Sequence, residues 1–172
     1  MGDLVLGVDL GFTRNNPMAI VLLEQGVDVS KLWEHYTYEP DISVEWQTRL
    51  VDIGRWLDDY ISAQNTNGTR IDLLAYELPF THPANRQVGI MLAHLGGMIV
   101  TLAWQHSLPF ICVAPAQAKC GLAGKGKAEK WEMIAAAKRR WDVELCKDEA
   151  DASGIAYAGW CIHNDRDYSL SK

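Results

Sequence analysis

Leu4-Val5-Leu6-Gly7-Val8-Asp9-Leu10-Gly11, near the start of the 172-residue chain, is an apolar run rich in branched side chains that closes on a carboxylate and a glycine. Such a run reads as a buried strand that carries one acid to its own C-terminal tip. Ile71-Asp72-Leu73-Leu74-Ala75-Tyr76-Glu77 repeats the pattern, and Asp148 and Asp151 stand three apart at the start of an expected helix. That spacing puts the two aspartates on one face of the helix. Four carboxylates scattered through the chain can therefore converge at one edge of one sheet. Clustered acids resist ionising together, so a divalent cation or shared protons must compensate them. Asp9 is read as the first ligand of a magnesium site.

Each acid also has an ordinary reading. Asp148 and Asp151 suit the first turn of a helix, where acids offset the positive dipole end and cap free amides. Asp9 before Gly11 suits a turn. Glu77, after mostly apolar residues and before Leu78-Pro79-Phe80, has no evident turn or cap duty.

Composition bounds the rest. A chain of this length can bury the core of one domain, residues 1–172, with Asp165 to Lys172 read as a tail. A hydrophobic share of 48% with 22% charged is ordinary for a globular protein. The apolar runs read as too short and too interrupted to span a bilayer, and no leader pattern opens the chain, so a cytoplasmic location without membrane association is expected. Cys112, Cys120, Cys146 and Cys161 form no CxxC pair and the histidines no zinc spacing, which points to reduced, mostly buried thiols. The net charge of −6 argues against a nucleic-acid partner until its distribution is considered. Lys119, Lys125, Lys127, Lys130, Lys138, Arg139 and Arg140 form a basic island opposed only by Glu129 and Glu132.

Around the opening strand, Met18 to Leu23 and Lys31 to Tyr38 read as two further strands joined by short turns, an antiparallel meander. A helix opening at Pro40-Asp41-Ile42-Ser43 would bury Trp46, Leu50, Ile53, Leu57 and Ile61. The strand at 71–77 follows a helix, so it is expected parallel to the first, with Asp9 and Glu77 at the same edge. A helix from Ala84 to His106, apolar nearly all round and carrying Gly89, Gly96 and Gly97, is expected to pack on both sides, ahead of a short strand at 109–113. Residues 114–127 read as a mobile glycine-rich connection. A helix over 128–141 would point Trp131, Ile134 and Ala135 inward, and a last helix over 147–163 would bury Ala150, Gly154, Tyr157, Ala158 and Cys161. Trp46 and Trp131 are both expected in the core.

The fold class is therefore α/β, a five-stranded mixed sheet of three antiparallel and two parallel strands flanked by helices. The order of strand-end Asp, strand-end Glu and late Asp-x-x-Asp on this pattern resembles the ribonuclease H-like nucleases, and more closely the RuvC family of Holliday junction resolvases. Gly7-Val8-Asp9-Leu10-Gly11 is similar to that family's G-[IV]-D-P-G, with Leu10 in place of proline; Glu77-Leu78-Pro79-Phe80 to its E-x-x-F; Gly124-Lys125-Gly126-Lys127-Ala128-Glu129-Lys130 to its G-x-G-x-A-x-K; and Asp148-Glu149-Ala150-Asp151-Ala152 to its D-x-x-D-A. The acidic net charge, Leu10 and the polar turn Thr13-Arg14-Asn15-Asn16 mark a divergent, phage-like member.

The resemblance implies an endonuclease that resolves four-way DNA junctions by symmetric nicks. Asp9, Glu77, Asp148 and Asp151 would hold two Mg²⁺ ions, or Mn²⁺. Lys119 and Lys130 would act near the scissile phosphate, Lys125 and Lys127 would contact the DNA backbone, and Phe80 would stack in the opened junction. It also implies a homodimer, with the 84–106 helix as candidate interface, a branch-migration helicase as possible partner, and a bacterial or phage-infected cell as setting. Three rivals are weighed at this point: a relaxed nuclease of the same fold acting on flaps, forks or RNA–DNA hybrids; an actin-like or sugar-kinase lobe, because Asp9-Leu10-Gly11-Phe12-Thr13 also looks like a D-x-G-x-T phosphate loop; and a junction-binding protein with a dead site, against which the presence of all four acids argues. Gly121 to Lys127 satisfies GxxxxGK, but Ala128 stands where a P-loop needs Ser or Thr.

Overall fold

The computed structural model describes residues 2–79 and 86–167. β1 (Asp3–Asp9), β2 (Met18–Gln25), β3 (Ser30–Tyr38), β4 (Leu73–Glu77) and β5 (Phe110–Val113) form one sheet in the order β3-β2-β1-β4-β5. The first three strands are an antiparallel meander, β4 runs parallel to β1, and β5 runs parallel to β4. The expected mixed sheet is the one that forms.

Side-chain alternation assigns the two faces of the sheet. Leu4, Leu6, Val8 and Leu10 face α1 (Trp46–Thr66) and α2 (Arg86–Gln105) in one core. Val5 of β1 faces the other core, built on α5 (Lys147–His163), and Gly7 meets Ala152 and Ala156 of that helix. α3 (Pro115–Ala123) and α4 (Lys130–Trp141) pack outside α5 around Leu122, Met133, Ala137 and Ala150. Central strands covered on both sides bury their side chains almost completely: Val5, Leu6, Val8, Ile20 and Leu74 are each 0% exposed. Each such burial contributes about 1.5–3 kcal/mol, which makes this part of the sheet a rigid base for whatever projects from its ends.

Several expectations are corrected. α1 begins at Trp46, later than expected, because the Asp41 carboxylate accepts the Ser43 amide and hydroxyl at 2.9 and 2.7 Å and closes a separate turn. Ile53, Leu57 and Ile61 are buried as expected, while Trp46 and Leu50 are only half-covered. The helix buried all round is α5, with twelve buried residues, whereas α2 leaves Ile90 and Trp104 exposed. α2 is, by length and composition, apolar enough to cross a membrane, contrary to the expectation for every apolar run. In this fold its Leu95, Ile99 and Leu102 belong to the core with α1 and β1.

The supposed mobile connection contains α3. Pro115 begins it, the Gln117 side chain accepts the Ala114 amide at 2.9 Å, and Gly124 ends it in the left-handed region at φ 77°. Its small residues serve close packing: a Cβ added at Gly121 would meet Tyr157 and Ala158 of α5 at 3.3 and 3.4 Å. Gly121 to Ala123 are thus helical, which removes the P-loop reading. On α4 the inward residues are Met133, Ala136 and Ala137, and Trp131 is 69% exposed. Of the thiols, Cys146 is exposed, Cys161 buried and the other two intermediate, all free.

Candidate active site

The parallel register pairs Val8 with Tyr76, so the next residues on the two strands are Asp9 and Glu77. The same alternation that turns Val8 and Tyr76 toward α1 and α2 turns Asp9 and Glu77 toward α5. What lets α5 come close is the smallness of the residues beneath it. Gly7 lies under Ala152 and Ala156, and Ala75 under Gly159. The first turns of α5, bearing Asp148 and Asp151, are thereby brought to the C-terminal tips of β1 and β4.

The electrostatics report how closely the acids adjoin. Burial raises the Asp9 carboxyl well above the usual range, and the charges of Glu77, Asp151 and Asp148 raise it further, with Lys130 opposing. Glu77 is pushed up to about 6 by burial and by Asp151, against a hydrogen bond with Asp9 and the nearby Lys130 and Lys119. Asp151 is raised by burial, while Lys130 and Lys119 pull it down. Burial and mutual repulsion thus disfavour ionisation of the cluster, and Lys130 and Lys119 offset part of that opposition.

Asp148 is the informative member. It is 2% exposed, yet its Oδ1 has no hydrogen-bond partner. Lys130 Nζ is 3.7 Å from that oxygen and 3.8 Å from Asp151 Oδ2, and Lys147 Nζ is 3.8 Å from Asp148 Oδ2, all beyond hydrogen-bond length. A buried carboxylate oxygen without a donor is costly unless something else satisfies it. Four hard oxygen donors with such an orphan fit a divalent cation of the Mg²⁺ type. Among the described residues, no three His, Cys, Asp or Glu side chains are already closed into a group that could hold an ion. The acids are neighbours, not yet a ligand shell.

The helix-capping duty that might have explained Asp148 belongs to its neighbour. Glu149 Oε2 accepts the Cys146 amide at 2.8 Å, and Glu149 Oε1 meets His35 Nδ1 of β3 at 2.9 Å. Burial raises the Glu149 carboxyl, but the His35 and Cys146 hydrogen bonds outweigh it and hold the group below its ordinary value. Glu149→Ala is expected to cost about 1–2 kcal/mol, measured by urea unfolding, because it removes both the cap and the tie to the edge strand. An unchanged midpoint would refute that role. Glu149 was missed in the sequence, although Cys146-x-x-Glu149 has the spacing of a capping box.

Lys147 was missed as well. Its Nζ donates to the Asn15 carbonyl at 2.8 Å, tying the β1–β2 turn to the start of α5 beside Asp148. A cleft of about 600 Å³ opens there, lined by Arg14, Asn15, Thr37, Lys147, Asp148 and Glu149 among others. The basic island proves to be several things. Lys119 and Lys130 act on the acids, Lys125 pairs with Glu132, Lys138 with Glu144, Arg140 stacks 3.9 Å over Tyr157, and Lys127 is exposed. Phe80 lies outside the described residues.

No protein-family model matches the chain. The crossover junction endodeoxyribonuclease RuvC of Gloeobacter violaceus is 33% identical over 121 residues, covering 69% of this chain and 66% of that protein. The protein of the same name from Parasynechococcus marenigrum is 33% identical over 115 residues, 65% of this chain and 70% of that protein. Thermus thermophilus RuvC, solved in complex with Holliday junction substrate, superposes with a TM-score of 0.77 at 18% identity, over 94% of this chain and 96% of that one. That likeness bears on the fold, which is ribonuclease H-like, and the two sequence matches bear on descent. The chain belongs to the RuvC family of crossover junction endodeoxyribonucleases.

Proposed function

We propose that the protein is a metal-dependent endonuclease that resolves four-way DNA junctions by paired, symmetric nicks. The observation that carries this reading is the meeting of Asp9, Glu77, Asp148 and Asp151 at one sheet edge, with a buried Asp148 oxygen left without a donor. Its relatives are crossover junction endodeoxyribonucleases by name, and the superposed Thermus protein was solved with a Holliday junction. Two Mg²⁺ ions held by these acids, for which Mn²⁺ would substitute, would supply an activated water and stabilise the leaving oxygen of the phosphodiester.

The chain's own residues prepare that chemistry. Asp9, Glu77, Asp148 and Asp151 present oxygens from β1, β4 and α5, elements fixed by the core, so little rearrangement is needed when the strand arrives. Lys130 and Lys119, already acting on the acids, offset the repulsion a phosphate would meet there. Lys125 and Lys127 would contact the DNA backbone, and Phe80 would stack in the opened junction.

A four-way junction has two-fold symmetry, so two incisions call for two copies of the site. The outer face of α2, with exposed Ile90 and Trp104, is the candidate surface for the second copy. The Glu77 and Asp148/Asp151 contributions have no place in an actin-like lobe, which sets that rival aside. Cleavage of a fixed synthetic four-way junction, mapped to the nucleotide, should give symmetric, religatable nicks with Mg²⁺ and none with chelator. Asymmetric nicks, or preferred attack on flaps, would favour the relaxed nuclease instead.

A further inference from the structure

We infer that Trp131 is a stacking platform for an unpaired base of the branched DNA, placed beside the acid cluster by the first turn of α4. The inference rests on the junction-cutting reading and adds to it a contact specific for opened strands.

Its basis is the contrast among the tryptophans. Trp33 donates to Glu24, Trp141 to Ser30 and Trp160 to Asp3, while Trp46 meets His94 edge-on and Trp56 meets Tyr38 at a tilt. Trp131 is 69% exposed and, among the described residues, has no hydrogen bond, ring contact or cation partner. An exposed indole gives up hydrophobic burial for nothing inside the fold, since Met133, Ala136 and Ala137 already fill the α4 side of the core. Trp104 is likewise exposed, at 78%, but it ends α2 just before β5, whose first residue Phe110 pairs with Leu74 at the end of the sheet away from Glu77. Trp131 alone of the two stands at the acid end.

Its surroundings name the occupant. The preceding residue, Lys130, reaches Asp148 and Asp151 at 3.7 and 3.8 Å, and exposed Lys127 lies just upstream. Cations that suit phosphates therefore immediately precede, in the chain, an indole that suits the π-face of a base. A charged strand with accessible bases satisfies both, whereas continuous duplex hides its base faces and leaves the indole nothing to stack on. A protein partner would have to face the lysines as well, and those lysines already point to the site of the phosphates.

The test compares wild type with Trp131→Ala, Trp131→Phe and Lys127→Gln on a fixed four-way junction and on linear duplex, with binding measured in Ca²⁺ and cleavage in Mg²⁺. Trp131→Ala should weaken junction binding about 5- to 150-fold and leave duplex binding, melting temperature and the salt dependence of affinity unchanged. Trp131→Phe should recover most of the loss, because a phenyl ring also stacks. Lys127→Gln should instead lower the salt slope by about one, on both DNAs. Trp131→Ala with wild-type junction affinity, with equal losses on duplex and junction, or with an altered sedimentation mass would overturn the inference, the last making Trp131 a contact between copies. A wild-type protein that neither binds nor cuts junctions would refute the junction reading itself, independently of the variants.

Discussion

Asp9→Asn should yield a protein that still binds a four-way junction and has lost nearly all ability to cut it. The rate should fall by at least on the order of 10²–10³-fold, the scale on which a single group aimed at developing charge acts in a dry site. The substitution preserves shape and burial while removing the charge that holds a cation. Folding should respond in the opposite direction. Asp9 is 6% exposed, and its ionised form is opposed first by burial and then by Glu77, Asp151 and Asp148. Relieving that opposition should raise the melting temperature of the metal-free protein, the usual trade between a strained site and stability. Added Mg²⁺ stabilises whatever folded form binds it, so the wild type should gain thermal stability in Mg²⁺ and Asp9→Asn should gain little. Full-rate cleavage by the variant, or an equal Mg²⁺-induced shift in both proteins, would remove Asp9 from the metal site.

The acid cluster was legible because its members obey strong local rules. Asp9 and Glu77 end short apolar runs that read as buried strands, and once the second strand follows a helix crossover, both tips lie at one edge. Asp148 and Asp151 were legible as a helical pair, though not as opposed to Glu149, since three acids in one helical turn look alike until the Cys146 amide selects one. α3 was illegible for a physical reason. Glycine and alanine lower intrinsic helix signal or carry no periodicity, and here their purpose is a close crossing with α5, which only tertiary structure reveals. The same confusion moved the fully buried helix from α5 to α2. α5 is rich in small residues and polar at its start, so its sequence looks less like a core helix than the long apolar α2, yet α5 is covered by the sheet, α3 and α4. Trp131 shows the converse error, because large and apolar does not mean inside when Met133, Ala136 and Ala137 already occupy the inward face.

The smallness of the residue two before Asp9 carries the second large effect. A Cβ on Gly7 would stand 2.3 Å from the Ala152 carbonyl oxygen and 2.7 Å from the Ala156 Cβ, both fixed parts of a buried helix. Neither neighbour can swing aside, so Gly7→Ala must push α5 off β1. Overpacking of this kind costs about 1–3 kcal/mol and more where backbone has to move. For a chain of this size that is a drop of about 2–4 °C in Tm per kcal/mol. Gly97→Ala on α2 is the packing control for a single copy: among the described residues nothing lies within 4 Å of the added carbon, so at dilutions where the chain is monomeric the better helix former should hold or raise the Tm. The functional consequence separates this from a simple loss of stability. Ala152 directly follows Asp151, so the displacement that relieves the clash also draws Asp151 and Asp148 away from Asp9 and Glu77. Gly7→Ala assayed well below its melting temperature should therefore still lose most of its cleavage and most of its Mg²⁺-induced stabilisation. If cleavage instead survives in full in the folded variant, the close approach of α5 to β1 is a packing feature only, and the gathering of the four carboxylates does not depend on it.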